Sequence, residues 1–342
     1  MSKVKKCLII CWFGKLPEYF PVWVKSCAYN DSFDFLLFTD AEVRIKLPSN
    51  IKVIIFDMDL FKNRIERTLG VKPSLNKPYR ICDFRPMYGQ LFSKEISGYD
   101  YWGYCDIDVV FGKLDDFICA EDNEKDAVFN GGHFTLIKNT NMMNNLFKMD
   151  GALFDYKTVS QEEAIYAFDE TTGIQQIAKK QKINARFGIP YIETESKYTQ
   201  LRSRMDAVNP EQQLFYWEKG KLYRAKSDDG EMYYQEIAYM HLQKRKLGIL
   251  DIDALVSNSF WITPHGFISK NYFGCPCLED FKKFNPDDGA DVRAEEERMY
   301  KKNKIRAILK RNPFQIYVRL RQQFAGINAG DRSRKELSWI KY

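Results

Sequence analysis

Residues 99–112 constrain this chain more than any other segment. An aromatic run, Tyr101-Trp102-Gly103-Tyr104-Cys105, leads into Asp106-Ile107-Asp108 and resumes as Val109-Val110-Phe111. Such a run reads as a buried strand. Side chains alternate faces along a strand, so Asp106 and Asp108 are expected on one side while Ile107 turns into the core. Open α/β sheets take ligands at the carboxyl ends of their strands, and two hard oxygen donors there suit Mg²⁺ or Mn²⁺ carrying a diphosphate.

The flanking sequence supplies such a sheet. Buried strands are expected at 6–12, 33–39 and 51–56, with a helix over 17–30 opened by Pro17 and another over 81–96. Strands alternating with helices argue for an α/β fold, a mostly parallel sheet covered on both faces. The second half reads as short aromatic strands at 128–137 and 231–239 with a helix near 171–182. With 342 residues, 45% of them hydrophobic, the chain can bury a large core. Asn285-Pro286-Asp287-Asp288-Gly289 reads as a turn. It divides a domain of residues 1–285 from a helix-competent tail of residues 286–342.

That tail carries the charge. Residues 298–342 hold thirteen Lys or Arg against two acids, a net +11, so a chain of net +6 leaves −5 on the remainder. Apolar residues (Ile305, Ile308, Leu309, Phe314, Ile316, Tyr317, Val318, Leu320, Phe324) interleave with the basic ones, and Pro313 splits the segment into two helical pieces. Such a segment can lie on an anionic membrane or pack on the body. It matches no nucleic-acid module. Apolar runs too short to cross a bilayer, and no recognisable secretory leader, place the expected protein in the cytoplasm, peripheral to the inner face of the cell membrane. Eight scattered cysteines fit reduced thiols, and Cys275-Pro276-Cys277 reads as a structural loop because no second cysteine pair stands at zinc-site spacing.

Four segments in order carry a family resemblance: Trp12-Phe13-Gly14-Lys15-Leu16-Pro17, Lys77-Pro78-Tyr79-Arg80-Ile81-Cys82-Asp83-Phe84-Arg85-Pro86, Trp102-Gly103-Tyr104-Cys105-Asp106-Ile107-Asp108 and Gly131-Gly132-His133-Phe134-Thr135-Leu136. Over about residues 5–250 the chain resembles bacterial GT-A-type glycosyltransferases of surface-polysaccharide gene clusters. The resemblance implies a GT-A-like fold, a nucleotide-sugar donor (a UDP-sugar), Mn²⁺ or Mg²⁺, and transfer to a hydroxyl of a lipid-linked saccharide acceptor. It implies that Asp108 binds the metal bridging the donor phosphates, that Asp106 holds ribose or metal, and that His241 is a third metal ligand with Lys244 and Arg245 on the diphosphate. A cation fixed there would stabilise the departing nucleoside diphosphate. Asp169 and Glu170 would face the acceptor, one acting as general base in an inverting transfer. Gly131 and Gly132 would let backbone approach a sugar, with His133 contacting it, and Asp83 and Arg85 would touch the donor.

Two other readings compete. Val53-Ile54-Ile55-Phe56-Asp57-Met58-Asp59 resembles the nucleophile strand of haloacid-dehalogenase phosphohydrolases, with Asp57 attacking phosphate, Asp59 as acid and Asp287-Asp288 as a distal metal pair. Leu60-Phe61 stand where that motif has small residues, and two strands precede it where it normally opens the domain. A non-catalytic sugar-binding paralogue would share the aromatic richness that suits carbohydrate stacking.

Overall fold

The computed structural model describes residues 4–243, 245–325 and 338–342. The earlier strands are β1 Lys6–Trp12, β2 Phe33–Thr39, β3 Ile51–Ile55, β4 Tyr101–Cys105, β5 Val109–Phe111, β6 Ala127–Phe129, β7 Phe134–Lys138, β8 Ala185–Phe187 and β9 Tyr191–Glu193. The later ones are β10 Gln212–Glu218, β11 Lys221–Asp228, β12 Glu231–Ile237, β13 Tyr239–His241, β14 Gly248–Ile249, β15 Ser259–Ile262, β16 Gly266–Ser269 and β17 Ile340–Lys341. The fold is mixed α/β, and among the described residues its strands form three sheets.

The first sheet has the order β3-β2-β1-β4-β7-β6-β8. β1 to β4 pair in parallel. β7 runs antiparallel to β4 and β6, and β6 is parallel to β8. Its strands are apolar on both sides because both sides are covered. Cys7 and Ile9 of β1 pack with Phe84, Tyr88 and Trp102, whereas Leu8 and Ile10 pack with Trp23, Phe35 and Phe111. Strand order reverses at β1, with β2 and β3 to one side and β4 to the other. A crevice opens outside the carboxyl ends at such a reversal, and Asp106 follows β4 directly. β4 and β7 approach so closely that a Cβ on Gly103 would stand 2.0 Å from the Thr135 carbonyl oxygen, so only glycine fits.

The second sheet, order β14-β16-β15-β10-β11-β12-β17, is antiparallel apart from the β14–β16 pair. The third joins the two halves: β13 pairs antiparallel with β5 and parallel with β9.

Several expected elements change form. The helix expected over 81–96 is a 3₁₀ helix, Pro78–Met87, followed by one α-turn, Tyr88–Leu91. Pro86 lies inside it, without an N–H and against the preceding turn, and excludes a regular α-helix. The strand expected at 128–137 is a hairpin, β6 and β7, because Gly131 turns the chain at φ +74°. The helix near 171–182 is shorter, Ile174–Lys180.

The tail is packed on the body. The helix Gly289–Leu309 buries none of its residues, but Glu296 accepts from the Thr199 N–H and hydroxyl, and Glu297 meets Lys197 and Tyr198. The helix Pro313–Phe324 docks more firmly. Val318 is fully buried, Gln315 hydrogen-bonds both the N–H and the carbonyl of Ile165, and Gln322 donates to the Tyr166 carbonyl. β17 then adds an edge strand to β12.

The 3₁₀ helix and the loop before Asp169 are held by a buried ion pair between Arg80 and Asp83. Asp83 also accepts the N–H groups of Tyr166 and Phe168, while Arg80 donates to the carbonyls of Val159 and Glu162. Removing one partner strands the other in the interior. Asp83→Ala is therefore expected to lower the unfolding free energy by about 3–5 kcal/mol, read as a lower denaturant midpoint at unchanged m-value. A loss below about 1 kcal/mol would show that the pair does not hold this loop.

Candidate metal and donor site

The site is assembled where the first and third sheets meet. β4 ends at Cys105, and the Asp106 N–H donates to the His133 carbonyl. Residues 106–108 form the bend into β5, so the two carboxylates converge through this bend and not through alternation along one strand. Ile107 is buried as expected. The Asp108 carbonyl accepts from the Leu242 N–H, and the register sets His241 opposite Val109 on one side and Glu193 on the other.

His241 Nε2 consequently lies 3.4 Å from Asp108 Oδ1 and 3.7 Å from Asp106 Oδ2. All three residues offer ligand atoms within 4.8 Å of one another. An octahedral ion with ligands at about 2.1 Å sets neighbouring ligand atoms about 3 Å apart, so a small inward shift converts this group into a coordination set. Two carboxylates and an imidazole suit Mn²⁺. A second group of His133, Glu193 and His241 meets the same 4.8 Å condition and shares the imidazole.

Arg85 sits at the centre. Its guanidinium donates to Asp106 Oδ1, to Asp169 Oδ2 at 3.1 Å and to the Gly132 carbonyl at 2.7 Å. Burial pushes the Asp106 carboxyl up, opposed by Arg85 and His241 and reinforced by Asp108. Burial raises Asp169 further, with Arg85 opposing it and Glu170 adding to it. In His241, burial works against the charged ring, yet the charges of Asp108 and Asp106 prevail and its pKa is raised.

Gly132 makes this crowding possible. A Cβ there would stand 2.5 Å from Asp169 Oδ2 and 3.1 Å from Glu170 Oε1. At Gly131 a Cβ would lie 2.8 Å from His133 Nε2. His133 is buried, hydrogen-bonded through Nδ1 to the Tyr239 hydroxyl at 2.8 Å, with its ring centroid 4.7 Å from that of His241. These three residues wall the cluster, and the His133 ring packs against that of His241.

Two expected donor contacts lie elsewhere. Asp83 is committed to Arg80 and to backbone. Arg245 is a loop clamp: it donates to the carbonyls of Glu195, Tyr198, Thr199 and Gln200, and burial lowers its pKa to about 10. Both terminal nitrogens of its guanidinium are engaged by these carbonyls. Lys244 lies outside the described residues. Asp57 caps the helix Met58–Leu69 by accepting the Leu60 N–H, Asp59 meets Lys62 on an exposed face, and Asp287 pairs with Arg293. Among the described residues these acids, Asp288, and the cysteines of Cys275-Pro276-Cys277 join neither metal-capable group.

Glu193 is a member of this cluster that sequence reasoning missed. It is buried, with Oε1 3.7 Å from His241 Nδ1, 2.8 Å from the donating Gln243 Nε2 and 3.5 Å from Arg204. Its only signal is register, since Tyr191 and Glu193 match Tyr239 and His241 residue for residue.

The chain belongs to a family of unknown function, DUF6625, whose model matches residues 8–271. The match takes in every residue of the carboxylate cluster and ends before the tail helices. No curated protein matches the chain.

Carboxylates behind a ligating imidazole fix its ring, and their loss weakens metal binding by about 10–100-fold. Calorimetric Mn²⁺ titration is expected to show that Glu193→Gln binds about tenfold more weakly than the unsubstituted chain, and His241→Ala more weakly still. Unchanged affinity in both variants would exclude this cluster as the metal site.

Proposed function

We propose that this chain is a metal-dependent glycosyltransferase that moves a sugar from a UDP-sugar to a saccharide acceptor. The observation that carries the reading is the convergence of Asp106, Asp108 and His241 within 4.8 Å at the strand-order reversal, just past the carboxyl end of β4. The order β3-β2-β1-β4-β7-β6-β8, with β7 antiparallel to its neighbours, supports a GT-A-like fold.

In this reading Asp106, Asp108 and His241 would hold Mn²⁺ or Mg²⁺, which would supply positive charge to a departing diphosphate. Arg85 would give up Asp106 and keep Asp169. The raised Asp169 carboxyl, beside Glu170, stands as the group that takes a proton from an acceptor hydroxyl in an inverting transfer. Ile305, Leu309, Phe314 and Phe324 are exposed among the basic residues of the tail, which supports a peripheral membrane position and a lipid-linked acceptor in surface-polysaccharide synthesis. Among the described residues no helix is long and apolar enough to cross a membrane.

Calorimetry with UDP is the test. Binding is expected with Mn²⁺ and not without it, weakened at least about tenfold in Asp108→Ala; equal binding with and without the ion refutes the reading. A companion variant addresses catalysis. Asp169→Asn is expected to keep Mn²⁺-dependent UDP binding while slowing UDP release from a UDP-sugar by about 10²–10⁴-fold. UDP release equal to that of the unsubstituted chain would remove Asp169 from the chemistry. A chain that binds UDP with Mn²⁺ but never releases it from any UDP-sugar would be the sugar-binding paralogue.

A further inference from the structure

A cavity of about 380 Å³ lies between the tail and the body. Its walls come from the start of the 3₁₀ helix (Lys77 at its cap, Tyr79, Arg80), from the loop leading to Asp169 (Glu163, Ile165) and from the tail (Lys310, Arg311, Asn312, Gln315, Arg319). Such a volume suits a small ligand.

Its chemistry is one-sided. Five lining residues are cations and one, Glu163, is a carboxylate that accepts from Asn76. Arg80 is committed to Asp83. Among the described residues no carboxylate lies within ion-pair distance of Lys77, Lys310, Arg311 or Arg319. The helix Pro313–Phe324 begins at this cavity with Asn312 as its cap, and its positive end adds to the same field. Four cations around a small cavity match a phosphoryl or pyrophosphoryl group.

The cavity also adjoins the carboxylate cluster. Tyr79 lines it, and Asp169, Glu170 and Asp106 act on the Tyr79 phenol electrostatically. Ile165, clamped at both backbone groups by Gln315, lies on the loop that continues to Asp169. The cavity thus borders the loop that carries Asp169 and Glu170, the residues assigned above to the acceptor side.

We propose that this cavity binds a phosphoryl or pyrophosphoryl group carried by the acceptor. The acceptor assignment rests on the transferase reading; the anion site stands on its own residues. The probe is inorganic pyrophosphate, titrated with chelator present into the full chain carrying Asp108→Ala, so that metal-dependent donor binding is removed. Saturable binding is expected, weakened at least tenfold when Lys310→Gln and Arg319→Gln are added, with the thermal midpoint retained and, when the two substitutions are made in a chain that keeps Asp108, Mn²⁺-dependent UDP binding retained as well. No binding, or binding that the double variant keeps, overturns the cavity as an anion site. Co-sedimentation with phosphatidylcholine vesicles containing phosphatidic acid identifies the source of the group. Vesicle binding that pyrophosphate competes away places a lipid-borne phosphate in the cavity. Vesicle binding that depends on Lys310 and Arg319 and ignores pyrophosphate assigns these cations to the membrane surface and overturns the proposal. Pyrophosphate binding without any Mn²⁺-dependent UDP binding supports the anion site and removes only the donor half of the reading.

Discussion

The guanidinium of Arg85 lies between Asp106 and Asp169, and the rest of the site is arranged around that contact. Asp106, Asp108, Asp169, Glu170 and Glu193 gather where solvent is scarce, and like charges so placed disfavour folding unless cations or hydrogen bonds offset them. Arg85 supplies positive charge, while Gly132 leaves room for Asp169 and Glu170 beside it. Under the proposed function, Asp106 would exchange the guanidinium for a metal ion, and that exchange would be felt at Asp169 because Arg85 touches both carboxylates.

Three separate stretches of chain meet through backbone register. β5, β13 and β9 are short strands joined side by side, and their alignment puts Asp108, His241 and Glu193 at one level. Two buried positions, Gly103 against Thr135 and Gly132 against Asp169, tolerate no Cβ. Substitution at either would shift the strands and loops that carry the cluster. Arg80 and Asp83 do comparable work a layer away, tying the 3₁₀ helix that presents Arg85 to the loop that presents Asp169.

Much of this was legible in the sequence, and the limits have physical causes. β1, β2 and β4 announce themselves as apolar runs because both faces of the first sheet are covered, and Asp106 and Asp108 stand out as acids ending such a run. His241 was assigned through the family resemblance and falls beside them. Residues whose meaning depends on long-range partners were not legible. Asp83 and Arg245 look like ligand-facing charges in one dimension, but one completes a buried ion pair and the other caps four carbonyls. Glu193 looks like an ordinary strand end until its pairing with β13 is known. The helix expected over 81–96 failed on Pro86, a breaker visible in the sequence and outvoted by the surrounding apolar pattern.

Anomalous diffraction from crystals grown with Mn²⁺ tests the central assignment most directly. The expected map has a peak about 2.1 Å from carboxylate oxygens of Asp106 and Asp108 and from His241 Nε2, with the Arg85 guanidinium withdrawn from Asp106 and still on Asp169. A peak held by other residues, or Asp106 still paired with Arg85 at saturating Mn²⁺, would contradict it.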